Sequence, residues 1–428
     1  MIKKITAVHG MHDCLFPDTL LWENIENIIK NTLKNYGYQE IKLPILEKSK
    51  LFKKTIGEST DIIEKEMYNL FDKNKDSLTL RPEGTTGFLR SIIENNIFSN
   101  NRRFWYNGPM FRYERPQKGR YRQFNQIGIE IIGLKSPYID AEIIILTNNL
   151  WKKLNITNNI FLEINSIGSI IDRQKYITEL ILFFKKNLKF LDFSYQQKIY
   201  KNPLRILDSK NKNIQKLLNY APKLKNFLNE KSVNTFKKLC EILNFMNIKF
   251  TINNYLVRGL DYYNDIVFEW KTNNLGTSKT ICGGGRYDKL INKMSCNRDK
   301  NGVGCAIGME RLILLIKNTE SIKLDTNFLI DIFLIPMENN YTLKKILMIG
   351  ELIRKNFPKL RILTSYLFKS LKKQIVHAIK YKSHFIIIIG LKEINNNSII
   401  VKNLYSKKQV TIPENQLILK LEKIFKNI

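Results

Sequence analysis

Between Asp18 and Tyr36 the apolar residues Leu21, Trp22, Ile25, Ile28, Ile29, Leu33 and Tyr36 recur at helical spacing. The pattern predicts an amphipathic helix that Asp18 or Thr19 can cap and Gly37 can end. Tyr38 to Leu43 then reads as a strand stopped by Pro44, a residue tolerated at a sheet edge or a strand end. A long helix followed by an edge strand suits a dimer surface, and it equally suits a helix packed on its own domain.

Asp76 to Leu80 is a short strand leading into Arg81-Pro82-Glu83-Gly84-Thr85-Thr86-Gly87, a turn that sets a carboxylate and two hydroxyls before a helix. Glu83 and Thr85 there can receive an ammonium group, and Thr85 also fits a plain N-cap. Arg103 to Glu114 and Tyr121 to Gly133 alternate as two strands joined by the basic loop Arg115-Pro116-Gln117-Lys118-Gly119-Arg120. Period two puts Arg112 and Glu114 on one face of the first strand, and Arg122, Phe124, Gln126, Gly128 and Glu130 on one face of the second. Such a face is the floor of a polar site, with Gly128 expected to leave room above it.

A helix from about Asp140 to Leu154 is followed by Lys-, Leu- and Phe-rich helical spacing from Ile171 to Asn247, broken at Pro203 and Pro222 and read as a helical insertion. Strands return at Lys249 to Asn253, Leu256 to Arg258 and Asp265 to Lys271, the last with Ile266, Phe268 and Trp270 on one face. Thr280 to Cys282 is a further strand running into Gly283-Gly284-Gly285-Arg286-Tyr287-Asp288, where bare backbone can approach a ligand closely. The spacing matches neither the dinucleotide-binding nor the P-loop pattern. Gly302 to Leu312 is a glycine-spaced strand entering a helix that presents Glu310 and Arg311.

Past a polar stretch from Thr319 to Thr326 the chain alternates strand Phe328 to Ile335, helix Leu343 to Lys355, strand Arg361 to Thr364, helix Ser370 to Lys380 and strand Phe385 to Ile389. A hairpin around Asn395 to Asn397 and Ser406 to Lys408 and a helix Glu414 to Lys426 complete it. This predicts a small α/β domain, its sheet largely parallel with one antiparallel excursion and Phe385 to Ile389 in the centre.

Composition narrows the class. A chain of 428 residues with 43% hydrophobic content fills two or three domain cores. Cys14, Cys240, Cys282, Cys296 and Cys305 are odd in number and contain no C-x-x-C pair, which argues against a disulfide framework or a zinc site and for a reducing compartment. The N-terminus lacks the apolar run of a signal peptide, and Phe385 to Ile389 is far too short to span a bilayer, so no membrane partner is expected and the cytoplasm is the default. Seventy Lys and Arg against 39 Asp and Glu give a net charge of +31. That charge suits a polyanion such as nucleic acid, although Lys, Asn and Ile abound throughout, as an AT-rich coding bias would also produce.

The densest chemistry lies in Leu256-Val257-Arg258-Gly259-Leu260-Asp261-Tyr262-Tyr263, with one guanidinium, one carboxylate and two phenols beside a glycine. Such a segment suits a small, partly aromatic ligand that also carries an anion, and it also suits a Tyr-rich edge strand with a surface arginine.

Taken together, Arg112-x-Glu114, Phe124, Arg258 to Tyr263 and Gly304 to Arg311 resemble the class II aminoacyl-tRNA synthetases, and among them the histidyl-tRNA synthetase family, over essentially the whole chain. Pro44 with its helix and strand is similar to the family's dimer-forming first motif. Phe111 to Glu114 with the loop to Phe124 is similar to the second, and Gly304 to Arg311 to the third. Leu256 to Tyr263 and Gly283 to Tyr287 are similar to the two histidine signatures.

The resemblance implies an α+β catalytic domain on an antiparallel sheet at 1–325, interrupted by the insertion at 171–247, and an α/β anticodon-binding domain at 326–428. It implies a homodimer that joins L-histidine to tRNA(His) through a histidyl-adenylate, with ATP as substrate, Mg2+ held mainly by ATP, and no protein-bound metal. By resemblance, Arg112 holds the α-phosphate and the amino-acid carboxylate, Arg258 is the cation at the α-phosphate and also borders the histidine, Glu114 contributes to ATP binding, and Phe124 and Arg311 sandwich the adenine, with Arg112, Arg258 and Gln126 as the catalytic residues. Glu83, Thr85 and Gln126 receive the ammonium, while Glu130 and Tyr263 bond the imidazole nitrogens. Tyr262 and Tyr287 line the histidine site, and Arg115 and Gln117 meet the acceptor end. A non-histidine substrate would leave the carboxylate and phenol unpaired, at about 1 to 3 kcal/mol per group. No protein nucleophile is required, so His9, His12, His377 and His384 are not read as catalytic.

Two departures stand out: Asn125 sits where many relatives carry a histidine, and Thr364 to Ser370 lacks the glycine-rich turn often found there, so anticodon contacts are not carried over. Two rivals remain at this point. One is a non-catalytic relative that senses histidine or uncharged tRNA, or regulates ATP phosphoribosyltransferase; the other is a class II enzyme for another amino acid.

Overall fold

The computed structural model describes residues 5–57, 60–97, 102–207, 209, 211–276, 279–294, 300–322, 329–337, 340–366 and 370–425. It divides into two units, Met1–Lys323 and Leu324–Ile428. The expected boundary at 325/326, residue Phe328, part of the Thr364 to Ser370 stretch, Cys296 and Lys426 fall outside the described residues.

In the first unit α1 (Asp18–Asn35) buries Leu21, Ile25, Ile29 and Leu33, the stripe its spacing predicts. The strand after it is shorter than its pattern. Only β1 (Gln39–Glu40) pairs, in parallel with Phe104 and Trp105, because Ile41 adds one last bond to the Trp105 carbonyl and the chain then turns toward Arg81. Buried Arg81 donates to the carbonyls of Leu43 (3.0 Å), Pro44 (3.3 Å) and Pro109 (2.8 Å), tying the edge to the sheet.

Next come β2 (Leu46–Lys48), α2 (Ser49–Ile56), β3 (Tyr68–Phe71) and β4 (Ser77–Leu80), whose strands form a small antiparallel sheet in the order β2-β4-β3. They are followed by α3 (Thr85–Glu94), β5 (Arg103–Phe111), β6 (Gln123–Ile132), α4 (Pro137–Lys153) and β7 (Phe161–Ser166). The insertion supplies α5 (Ile170–Lys186), α6 (Phe193–Lys201), α7 (Leu204–Leu207), α8 (Lys212–Leu218) and α9 (Glu230–Phe245). The unit closes with β8 (Phe250–Ile252), β9 (Asn264–Lys271), β10 (Thr280–Arg286), α10 (Asp288–Met294), β11 (Gly302–Gly308) and α11 (Met309–Thr319).

The main sheet runs β1-β5-β6-β11-β10-β9-β7-β8. Its inner pairs are antiparallel, and both edges, β1 on β5 and β8 on β7, are parallel. The insertion is therefore the long crossover that parallel β7 and β8 demand. Alternation in β6 sends buried Ile127, Ile129 and Ile131 to one face and Phe124, Gln126, Gly128 and Glu130 to the other. Helices α4 and α11 cover the apolar face, where the Trp270 indole of β9 donates to Thr147 of α4 at 2.9 Å. On the opposite side, Tyr176, Leu180 and Phe184 of α5 share one apolar cluster with Leu256, Tyr262, Tyr263, Phe88 and Tyr106, so the insertion packs directly behind the Leu256 to Tyr263 segment.

Three expectations are corrected here. Arg112 and Glu114 lie beyond β5, because the Tyr113 amide turns away to the Glu66 carbonyl (2.7 Å). Leu256 to Arg258 is a loop: the Asn253 side chain accepts from the Tyr255 amide, the Leu256 amide folds back on the Asn253 carbonyl, and Asn165 takes the Leu256 carbonyl. The three glycines of 283–285 lie inside β10, paired with both β9 and β11.

The second unit carries β12 (Ile330–Pro336), α12 (Asn340–Asn356), β13 (Ile362–Thr364), α13 (Leu371–Lys380), β14 (Ser383–Ile389), α14 (Leu391–Asn395), β15 (Ser398–Asn403), β16 (Gln409–Pro413) and α15 (Leu417–Phe425). Its sheet order, β13-β12-β14-β15-β16, puts β14 at the centre. Its β14·β15 and β15·β16 pairs are both antiparallel, so the sheet is evenly mixed rather than largely parallel. Asn395 to Asn397 ends α14, and the hairpin turn runs from Leu404 to Lys408. No helix among the described residues is long and apolar enough to cross a membrane.

Candidate active site

On the polar face of the main sheet lies a cavity of about 320 Å³. Glu83, Thr85, Arg112, Glu114, Phe124, Gln126, Arg258, Tyr262, Tyr263 and Arg311 all line it, from five separate stretches of chain. Glu130 and Tyr287 form the layer beneath. Pro44 is exposed away from the cavity, and Arg115 and Gln117 are exposed on the loop between β5 and β6, outside the lining.

The floor is built around the Glu130 carboxyl, 1% exposed. One oxygen accepts from Thr85 Oγ1 (2.9 Å) and Tyr106 OH (3.1 Å), the other from Tyr287 OH (2.6 Å). Burial pushes its pKa up to about 8, against the pull of these donors. The carboxyl rests on Gly304, its cross-strand partner, where any Cβ would overlap the acid itself. Tyr106 faces Gly128 in the β5·β6 register, and its ring occupies the space that Gly128 was expected to leave open. A Cβ on Gly84 would likewise collide with that ring.

At one wall, Glu83 caps α3: its two oxygens accept the amides of Thr85 (2.9 Å) and Thr86 (2.8 Å), and Tyr262 OH donates to it at 3.3 Å. Thr85 is thus the first residue of α3 behind Gly84, and its hydroxyl turns to Glu130 instead of capping the helix. The Tyr262 and Tyr263 rings pack 4.8 Å apart, and burial raises the Tyr263 phenol to about 12.

A further part of the lining is cationic. Arg258 lies over the Tyr263 ring at 5.5 Å, is ion-paired to Glu269, and crosses Gly283 so closely that a Cβ there would strike the guanidinium. Burial works against its charge, but Glu269 more than compensates and holds its pKa above the ordinary arginine value. Arg112 donates to the Pro82 carbonyl (2.8 Å) and sits 5.2 Å from the Phe124 ring centre. Arg311 donates to the carbonyls of Gly119 (2.8 Å) and Thr280 (2.9 Å), joining the loop to β10. Glu114 pairs with Arg120 at 2.8 Å.

Asn125 has a defined task. Its backbone amide (2.8 Å) and side-chain amide (3.1 Å) both donate to Glu310, fastening β6 to the start of α11.

Sequence reasoning passed over Tyr106, Arg120, Tyr121, Glu269 and Thr280, all of which line the cavity. For Glu269 the signal was present: with Ile266, Phe268 and Trp270 turned to the apolar face, Glu269 had to face the other way. Tyr106 needed the β5·β6 register. A cavity lined by several guanidiniums, four carboxyls and two packed phenols can bind an anion, an ammonium and a polar ring side by side.

Comparison with known proteins gives a match to the histidyl-tRNA synthetase family over residues 10–312 and to the anticodon binding domain over residues 331–424. The histidine–tRNA ligase of Buchnera aphidicola subsp. Schizaphis graminum is 49% identical over 429 residues, covering 99% of each chain. That of Blochmanniella pennsylvanica is 48% identical over 409 residues, 95% of this chain and 93% of its own. Among solved structures, apo histidyl-tRNA synthetase of S. aureus superimposes with a TM-score of 0.80 at 32% identity, covering 97% of this chain and 99% of that one. An ATP phosphoribosyltransferase regulatory subunit/histidyl-tRNA synthetase from Bacillus halodurans C shares the fold at a TM-score of 0.64 and 20% identity, with 91% of this chain and 98% of that one covered. On the family match and the end-to-end likeness to these relatives, the chain belongs to the histidyl-tRNA synthetase family.

Proposed function

We propose that this chain joins L-histidine to tRNA(His) with Mg·ATP as the second substrate, releasing AMP and pyrophosphate. The observation that carries the reading is the cavity itself, where a carboxyl floor for a polar ring and a cationic wall for a phosphate border one space.

In this reading the imidazole sits over Glu130 and beside Tyr263, and Tyr287 holds Glu130 in place. The α-ammonium meets Glu83, Thr85 and Gln126, with Tyr262 steadying Glu83. Arg112 and Arg258 bind the α-phosphate, Glu114 assists Arg112, and the adenine is held between Phe124 and Arg311, whose faces both suit stacking. The histidine carboxylate then attacks the α-phosphorus in line, and pyrophosphate leaves. Next the terminal adenosine hydroxyl of the tRNA attacks the acyl carbon and AMP leaves. Protein groups orient the reactants and stabilise charge without forming a covalent bond to the substrate.

Arg115 and Gln117, exposed on their loop, receive the acceptor end, and the C-terminal unit receives the anticodon. The charge of +31 favours both encounters. The enzyme works in the cytoplasm as a homodimer joined along α1 and the Pro44 edge, where Ile45 and Leu46 are exposed. The regulatory reading is set aside, because Arg112, Arg258 and Arg311 are all in place around one cavity.

The test is pyrophosphate exchange with each of the twenty amino acids, with and without tRNA. Exchange driven by histidine alone is expected, and Arg258→Ala is expected to keep the fold and cut the rate by the roughly 10²- to 10³-fold typical of one preorganised charge contact. A near-normal rate in that variant, or exchange driven by another amino acid, overturns the reading.

A further inference from the structure

Arg258 does not hold its own position. It sits on an irregular loop, and its guanidinium is fixed from the sheet by a row of charges. Glu269 of β9 faces Gly283 of β10 in the ladder, so the guanidinium lies between a bare α-carbon and a carboxylate. One Glu269 oxygen pairs with Arg258. The other accepts from Thr280 Oγ1 (2.9 Å) and pairs with Lys271 Nζ (3.2 Å). Lys271 in turn pairs with Glu163 of β7 at 2.8 Å, and Glu163 accepts from the Asn253 side chain at 2.7 Å. Asn253 folds the first turn of the loop that carries Arg258. The row therefore closes on itself: sheet holds loop through Asn253, and sheet holds the loop's cation through Glu269.

We propose that Glu269, braced by Thr280 and Lys271, is a positioning residue that aims Arg258 at the α-phosphate. The proposal rests on the reading of Arg258 as the phosphate cation. One guanidinium nitrogen is committed to Glu269, and Nε, itself buried, has no hydrogen-bond partner among the described residues. The two cations and two carboxylates of the row balance, and Glu269, with a cation on each side, keeps its place against Arg258 when a phosphate arrives. Thr280 also joins the two ends of the nucleotide site, since its carbonyl accepts from Arg311 and its hydroxyl from the same residue donates to Glu269.

The test is a double-mutant cycle read by pyrophosphate exchange in the full-length chain. Glu269→Leu is expected to lower kcat by on the order of 10²-fold, the loss typical of a misaimed catalytic group, with the KM for histidine little changed. Glu269→Gln, which keeps an acceptor of the same shape, is expected to recover most of that rate. Thr280→Val keeps every charge and is expected to lose about fivefold, one hydrogen bond's worth. In an Arg258→Ala background all three substitutions should change nothing further. Should the leucine variant fail to fold, the glutamine and valine variants carry the same cycle. Losses that persist in the Arg258→Ala background overturn the proposal, as does a raised Mg2+ requirement in Glu269→Gln, which would make Glu269 a ligand of the nucleotide's metal. If Arg258→Ala itself is near-normal, the phosphate-cation reading fails first, and the two failures are thereby told apart.

Discussion

Replacing Glu130 with glutamine isolates what its carboxyl does, because shape is kept and only charge and one acceptor are lost. In the fold its oxygens accept three hydroxyl donors, from Thr85, Tyr106 and Tyr287. An amide keeps one acceptor oxygen and turns an NH2 toward the remaining donors, leaving at least one buried hydroxyl unpaired at a cost of about 1 to 3 kcal/mol. Toward histidine, loss of a hydrogen bond between the imidazole and the protonated carboxyl is worth about 0.5 to 1.5 kcal/mol, or roughly 2- to 13-fold in kcat/KM.

The pH dependence has a definite sign. Burial lifts the Glu130 pKa from 4.5 to about 8. Between those values the unfolded chain has released a proton that the folded chain retains, so this group makes stability fall as pH rises, by at most about 1.4 kcal/mol per pH unit. Glutamine removes that slope. The assays are histidine-dependent pyrophosphate exchange and urea melts from pH 5 to 8, for wild type and Glu130→Gln. Stability differences between the two that stay constant over this range, together with an unchanged kcat/KM for histidine, would refute the reasoning.

Gly304→Ala should act on the same group from below: its Cβ would occupy the Glu130 carboxyl position, so the KM for histidine should rise by about 10-fold or more while the KM for ATP holds, measured by exchange kinetics. Tyr106→Phe removes a donor that lowers the Glu130 pKa, so the titration of that carboxyl, followed through the pH profile of histidine binding by calorimetry, should move to higher pH. Asp140→Ala strips a partner from the buried Arg286 guanidinium, which Asp140 meets at 2.9 Å. Denaturant melts should show a loss of about 3 to 5 kcal/mol, as for other broken buried ion pairs.

Some of this was legible early. The α1 stripe, the alternation of β6 and the glycine spacing of β11 are local patterns with one geometric meaning each, so periodicity placed Phe124, Gln126 and Glu130 on one face before any fold was known. The Leu256 to Tyr263 segment was marked by its chemistry, but its start, Leu256 to Arg258, was read as a strand and is a loop, since its shape comes from Asn253 and Asn165, whose bonds are not periodic. The glycine run was noticed as bare backbone near a ligand, whereas in the fold its first glycine clears space for Arg258 and its second for the neighbouring strand.

Which residues could do chemistry, and which face of each element they share, follow from side-chain type and backbone period, which are properties of the chain alone. Register comes from long-range strand pairing. Register sets Tyr106 over Gly128, Glu130 over Gly304 and Glu269 opposite Gly283, and a shift of one residue would send each of these side chains to the other face of the sheet. The close approach of a carboxyl to a bare α-carbon, and the pKa and the aimed cation that follow from it, depend on strands distant in sequence meeting in one alignment.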